Sequence, residues 1–361
     1  MTGHAARELF LRTWGYPPAG SWSAPGRVNL IGEHTDYTGG LVLPFALAER
    51  AHVAAAPRRD RTLRMVCARG TAEVSLDEIG PSCPPGWPAY LAGAPWVLQA
   101  AGHAVRGADL ALVSSVPAGA GVSSSAALMS AALLAVADLE ATPLDRPTLA
   151  ALGRRAENVV AAVPCGAMDH TASLCCVAGH ALLLDTSTST LRQLPLDPEG
   201  AGLALLLLDT GVPHALTDGR YAQVRATVER ACEDSREPDD ATRRAARHIA
   251  SENARVRRVA DLLVEDRLAE IGPMLNASHA SLRDDLRVST PELDAVAAAA
   301  VAGGALGARM TGAGFGGSVI ALAPRTDVRG VLAAVRRTAG ELPGLTCREV
   351  TPSAGAARDL D

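Results

Sequence analysis

The chain has 361 residues, 48% of them apolar and 20% charged, with a formal net charge of −5 and a pI near 6.0. That profile excludes a disordered chain and supplies no global basic field for nucleic acid or an anionic membrane. All 34 basic residues are arginine, which excludes a P-loop lysine, the strand lysine of protein kinases and Schiff-base chemistry on a side-chain amine.

Periodicity and punctuation predict the elements in chain order. A short helix spans Leu9–Trp14. Strands cover Val28–Ile31 and Leu41–Leu47, on either side of a charged loop containing Gly39-Gly40. Further short strands are expected at Val53–Ala56, Leu63–Ala68 and Ala72–Leu76. A proline-rich loop, Pro81–Pro88, leads to a helix over Tyr90–Ala101, then a strand over Ala108–Val116. Ser123–Leu139 reads as an Ala/Leu helix with a serine N-cap cluster, and Leu149–Val160 as another helix. Ala181–Leu184 and Leu203–Leu208 are apolar runs suited to a sheet interior. Tyr221–Cys232 and Ala241–Leu263 are charged helices. Pro291–Leu306 is an apolar helix with proline in its first turn, followed by a strand at Ser318–Ala323 and a helix at Val328–Ala339.

Strands and helices mix without strict βαβ alternation, so the fold class is α+β. A domain change is expected near residues 180–200. The uncharged stretch Leu110–Ala137 exceeds a membrane span, but Pro117, Gly119 and Gly121 interrupt it, so it reads as strand, loop and helix. The cysteines (Cys67, Cys83, Cys165, Cys175, Cys176, Cys232 and Cys347) are odd in number and irregularly spaced. With no apparent signal peptide at the N-terminus, they point to reduced thiols and a cytoplasmic location.

Three stretches carry chemistry. Pro117-Ala-Gly-Ala-Gly-Val-Ser-Ser-Ser-Ala-Ala127 follows a strand and opens a helix, which suits a phosphate cradle. It lacks the GK[ST] of a P-loop and the third glycine of a dinucleotide fingerprint. Met310-Thr-Gly-Ala-Gly-Phe-Gly-Gly317 matches G-x-G-x-x-G, but a helix is expected before it and a strand after it, the reverse of a Rossmann turn. Ala24-Pro-Gly-Arg-Val-Asn-Leu-Ile-Gly-Glu-His-Thr-Asp-Tyr-Thr-Gly-Gly40 concentrates Arg27, Glu33, His34 and Asp36. Glu33, His34 and Asp36 suit a metal or the hydroxyls of a polyhydroxylated substrate, and the whole segment also suits a salt-bridged surface loop.

Together the three stretches resemble the three motifs of the GHMP small-molecule kinases. Gly-Arg-Val-Asn-Leu-Ile-Gly-Glu-His-Thr-Asp-Tyr resembles the galactokinase signature within that superfamily. Trp87–Gly93, Val163–Asp169, Val212–Leu216 through Tyr221, and Asn276–Leu293 agree with the same family. The resemblance implies a two-domain GHMP fold, residues 1–185 and 186–361, with the active site in the cleft between domains. It implies phosphorylation of D-galactose by ATP at the anomeric hydroxyl, the first committed step of galactose catabolism.

By the same resemblance, Asp169 is the general base or charge partner and Arg27 sits beside it. Glu33, His34, Asp36, Gly166 and Tyr221 hold the sugar. Gly119, Ala120, Gly121, Val122, Ser123, Ser124 and Ser125 wrap the ATP phosphates, and Trp87 lies against adenine. Ser125 and Glu157 hold Mg²⁺. Small-molecule substrates, no nucleic acid, no membrane and a monomer are expected. His170 stands where the family has glutamine, Thr38 where it has asparagine and Val122 where it has leucine. The first two open the sugar choice to N-acetylgalactosamine or arabinose. A non-catalytic sugar and ATP sensor on the same fold is the alternative from another class.

Overall fold

The computed structural model describes residues 3–81, 83, 86–212, 219–233, 237–338, 342 and 344–360. A first helix, α1 (Gly3–Trp14), packs against a six-stranded sheet. The sheet contains β1 (Gly20–Asn29), β3 (Pro44–Pro57), β4 (Thr62–Cys67), β5 (Gly70–Ser75), β6 (Ala108–Ser114) and β13 (Ala357–Arg358), in the order β13-β1-β3-β6-β4-β5. Its pairings are antiparallel except β4 with β6. A smaller sheet joins β2 (Leu41–Val42), β7 (His180–Asp185) and β8 (Thr190–Pro195). The hairpin of β7 and β8 therefore straddles residues 185 and 186, and β13 returns the end of the chain to the first sheet.

The helices beside these sheets are α2 (Trp87–Ala100), α3 (Ser124–Leu139), α4 (Arg146–Val159) and α5 (Met168–Cys175). Asp145 caps α4 by accepting from Thr148 N–H. The start of α3 differs from the expected serine cap. Ser123 lies at its N-cap position in the left-handed region, φ 56°, and makes no capping hydrogen bond. The first turn is therefore closed by no side chain of its own, which leaves backbone N–H groups for something else.

The remaining sheet, in the order β10-β11-β9-β12, is built from β9 (Leu203–Asp209), β10 (Gly307–Thr311), β11 (Ser318–Pro324) and β12 (Thr346–Val350). It separates two hydrophobic cores, and strand alternation explains how. Leu205, Leu207, Ile320 and Leu322 point into one core, while Leu206, Leu208, Val319 and Ala321 point into the other. A strand buried on both faces needs an unbroken apolar run, which is what Leu203–Leu208 supplies. Helices α6 (Arg220–Ala231), α7 (Asp240–Val264), α8 (Gly272–Ser281), α9 (Pro291–Ala302) and α10 (Val328–Thr338) are the remaining described α-helices, with a 3₁₀ turn at Leu268–Ile271 and a π-helical turn at Leu282–Leu286.

Two expectations change here. The apolar helix from Pro291 ends at Ala302, and β10 follows it. The glycine-rich stretch Gly312–Gly317 is therefore a turn between two antiparallel strands, not a helix-to-strand connection. Among the described residues, no helix is long and apolar enough to cross a membrane.

Candidate active site

All three chemical stretches converge on one cavity of about 330 Å³, within the range of small-molecule sites. Arg27, Glu33, His34, Asp36, Tyr221 and Asp169 line it together with Gly119, Gly121, Val122, Ser123, Ser124, Ser125 and Glu157.

The placement of Arg27 starts with the strand that carries it. The β1–β3 register shifts between Pro25 and Arg27. A Cβ on Gly26 would lie 2.7 Å from Val122 O, so glycine lets this strand run against the phosphate-type loop. Arg27 N–H then donates to Val122 O at 3.1 Å. Its guanidinium donates through Nη1 to Gly121 O at 2.7 Å and through Nε to Asp169 Oδ1 at 2.9 Å. Nη2 reaches the same oxygen at 2.7 Å.

Asp169 sits in the first turn of α5 and keeps 23% of its side-chain surface open. Burial works to raise its carboxyl, but the Arg27 charge and hydrogen bond outweigh it and hold Asp169 below its ordinary range. Asp36 behaves oppositely. Burial, with the Asp169 charge, pushes it up to about 6, although Met168 N–H donates to its Oδ2 at 3.2 Å. Gly166 is obligatory beside it, since a Cβ there would fall 1.8 Å from Asp36 Oδ2.

The signature loop is held from the second half of the chain. Glu33 Oε1 accepts from Gly312 N–H at 2.7 Å and faces Arg309 Nη1 at 3.4 Å. His34, at φ 60°, has Nδ1 2.7 Å from Tyr37 Oη and Nε2 3.1 Å from Ala313 O. A carbonyl only accepts, so Nε2 carries the proton and Nδ1 accepts from the tyrosine. Both ring nitrogens thus serve the protein, and His34 fixes the loop against the third glycine-rich stretch. That stretch also secures the phosphate-type loop: Ser318 Oγ donates to Ala120 O at 2.8 Å. Gly312 and Gly317, at φ 90° and 85°, pass within close range of Gly121 and Ala120 backbone.

Gly119, Gly121 and Ser123 all take positive φ, turning the loop sharply before α3. The N-terminus of α3, with Ser124 and Ser125 in its first turn, opens on the cavity. Such an end attracts anions through free N–H groups and the helix dipole. Ala120 is buried and does not line the cavity. Trp87 opens α2 and packs on the large core, also outside the cavity lining. Tyr90, on the next turn of that helix, takes the place on the wall, where burial and Glu157 push its phenol up to about 12. Tyr221 opens α6 and faces His34, with ring centroids 6.0 Å apart. The expected block from Val212 to Leu216 falls, from residue 213 on, outside the described residues.

Glu157 projects from α4, 2% exposed, with Oε2 3.0 Å from His170 Nε2. Sequence reasoning missed Tyr37, Tyr90, Cys165 and Ala313 as cavity residues, and Arg309 and Glu252 as supports. Arg309 is fully buried and reaches Asn29 O, Leu30 O and Ser278 Oγ. Ser278 Oγ donates to Glu252 Oε1 at 2.7 Å, which also accepts Gly32 N–H at 2.9 Å. The one available signal was an arginine inside an apolar run before a glycine cluster.

A galactokinase galactose-binding signature matches residues 8–57, a GHMP kinase N-terminal domain matches 89–176 and a GHMP kinase C-terminal domain matches 259–341. The galactokinase of Streptomyces coelicolor is 45% identical, with 97% of each chain covered. That decides the family. The chain belongs to the galactokinases. A Mycobacterium tuberculosis galactokinase is 42% identical across 94% of this chain and 99% of its own. The Lactococcus lactis galactokinase complexed with galactose superimposes with a TM-score of 0.91 at 30% identity, covering 98% of this chain and 99% of that one. A Methanococcus jannaschii mevalonate kinase, at TM-score 0.68 and 19% identity over 92% of this chain and 98% of its own, shares the GHMP fold.

Proposed function

We propose that this chain transfers the γ-phosphoryl group of ATP to the anomeric hydroxyl of D-galactose, giving galactose 1-phosphate and ADP. The observation that carries the reading is the Arg27–Asp169 pair at the junction of two sub-sites. On one side lie the signature-loop residues Glu33, His34 and Asp36, with Gly166 and Tyr221. On the other lie Gly119–Ser125 and the N-terminus of α3. A sugar hydroxyl held against Asp169 faces a phosphate seated at the helix end.

In the transfer, a bond forms between the sugar oxygen and the γ-phosphorus, and the bond to the β-phosphate bridging oxygen breaks. Phosphoryl transfer is largely dissociative, so alignment and charge compensation carry most of the catalysis. Asp169, held ionised by Arg27, orients the anomeric hydroxyl and accepts its proton as the bond forms. Arg27 joins that carboxylate to the Gly121 carbonyl, which fixes the base relative to the phosphate loop. With no lysine in the chain, arginine and the α3 dipole supply the chain's positive potential here.

Glu157 and Ser125 offer hard oxygen donors suited to Mg²⁺, and buried Glu157 Oε2 makes no hydrogen bond within the protein. The residues fit the ion, which would neutralise phosphate charge when bound. We extend the proposal to a division at residues 185 and 186, with signature and phosphate loop in the first part and the third glycine-rich stretch in the second. Trp87, outside the cavity lining, would meet adenine only where the nucleotide extends beyond the cavity. The chain supplies all of these residues itself, so a monomer suffices. Seven free cysteines and the use of ATP fit a cytoplasmic location. Phosphorus NMR of the product after incubation with ATP, Mg²⁺ and galactose tests the reading. A sugar 1-phosphate resonance is expected; ATP left unconsumed, or a phosphate on another hydroxyl, contradicts it.

A further inference from the structure

Beside the proposed phosphate site, Glu157, Cys165 and His170 bring a carboxylate oxygen, a thiol and an imidazole nitrogen within 4.8 Å of one another. All three residues are buried, His170 and Glu157 at 0% and 2% exposure. His170 Nε2 stands 3.0 Å from Glu157 Oε2, yet the approach satisfies no hydrogen bond. Both ring nitrogens of His170 and this oxygen are left without one. Orphaned polar atoms at this depth are costly.

The surroundings are shaped for the ring. His170 lies on α5 and packs on Gly153 of α4, where a Cβ would come 2.7 Å from its Cδ2. Glu157 is one turn further along the same face of α4. Cys165 sits on the connection between the two helices, anchored by its N–H to Asn158 Oδ1 at 2.8 Å. Glu157 and Cys165 line the cavity while His170 does not, so an ion can reach the cluster from the cavity.

We propose that Glu157, Cys165 and His170 form a site for a borderline divalent transition ion of the zinc or cobalt type. Nitrogen and sulfur donors select such ions over Mg²⁺. The ligand atoms of a tetrahedral site lie about 3–4 Å apart, so a small side-chain turn closes the triangle. On ligation the Cys165 thiol gives its proton to solvent, the sulfur–metal bond replaces the sulfur–hydrogen bond, and no electron changes hands. Because Glu157 is shared, the bound ion would deny that carboxylate to Mg²⁺ and inhibit phosphoryl transfer. This inhibitory consequence rests on the proposed kinase reading; the binding itself does not.

The test has two arms on the full chain. Cobalt(II) titration without nucleotide is expected to give one equivalent of binding with a thiolate-to-cobalt charge-transfer band. The band should vanish in Cys165→Ser. In His170→Gln the affinity should fall by more than the about 10- to 100-fold that loss of an outer-shell partner costs. Thermal unfolding checks that each variant folds, and His170→Gln decides if Cys165→Ser does not. Absence of the band in the wild type, or unchanged binding in both variants, overturns the site. In the second arm, zinc is added to Mg-ATP turnover and each rate is normalised to that variant's own rate in Mg²⁺ alone. Inhibition is expected to need at least about tenfold more zinc in His170→Gln. Equal inhibition in both proteins places the ion elsewhere and overturns the inhibitory role. Absence of galactose turnover in Mg²⁺ alone would contradict the kinase reading while leaving the cobalt result to stand or fall by itself.

Discussion

Arg27 meets Asp169 through a single carboxylate oxygen: Nε and Nη2 both reach Oδ1, at 2.9 and 2.7 Å. The other oxygen takes no hydrogen bond from Arg27, while the third guanidinium nitrogen bonds the Gly121 carbonyl. One side chain thus holds a carboxylate ionised, leaves it an acceptor, and ties it to the loop that would carry phosphate.

Replacing Asp169 by asparagine keeps shape and polarity but removes the charge and the proton acceptor. We expect kcat to fall by about 10²–10⁴-fold, with galactose affinity changed much less. Parallel steady-state kinetics and equilibrium sugar binding check the split; an equal loss in both would make Asp169 a binding residue.

Arg27→Ala leaves Asp169 without its partner. A fully buried pair broken on one side costs about 3–5 kcal/mol. Asp169 keeps 23% of its side chain open, so about 2 kcal/mol is expected once solvent screening is allowed for. Urea unfolding should show a smaller loss when Arg27→Ala is made in the Asp169→Asn background.

Asp36 provides a pH prediction of defined sign. Its carboxyl is raised from 3.8 to about 6 on folding, so the native state holds the extra proton between these values. Stability therefore falls as pH rises through that window, and the cost persists above it. Asp36→Asn should raise Tm at pH 7.5, by a gain of at most about 3 kcal/mol, and lose that gain below about pH 4. The same variant should bind galactose more weakly, because a charge-assisted acceptor is gone. In the wild type, galactose affinity should decline as pH drops through about 6. Calorimetric scans and sugar titrations across this range check both.

Gly166→Ala tests the same pocket through shape. Its Cβ would collide with Asp36 Oδ2, so the carboxylate or the loop must move. KM for galactose should rise by about tenfold or more while KM for ATP stays near wild type; the opposite pattern would detach Gly166 from the sugar site.

Local pattern made much of the molecule legible before the structure. The buried run Leu203–Leu208 is a strand, Pro291 opens a helix, and the three glycine- or charge-rich stretches line one cavity. Long-range pairing was not legible. Residues 307–311 carry no strand signal of their own, because nothing local shows that β11 pairs with them. Arg309 and Glu252 lie 57 positions apart and meet through Ser278, so their joint hold on Gly32 and Glu33 has no sequence signature. The place of Tyr90 on the cavity wall was not legible either. Trp87 and Tyr90 lie one turn apart on α2 and both pack on the large core, and of the two only Tyr90 reaches the cavity lining.

The most direct test is ADP release by the purified chain with Mg-ATP, measured across galactose, N-acetylgalactosamine, arabinose and glucose, for the wild type and Asp169→Asn. Turnover on galactose well above the other sugars, lost in the variant, is the predicted result. Galactose binding without ADP release in the wild type would contradict it and make the cavity a sensor of sugar and nucleotide rather than a kinase site.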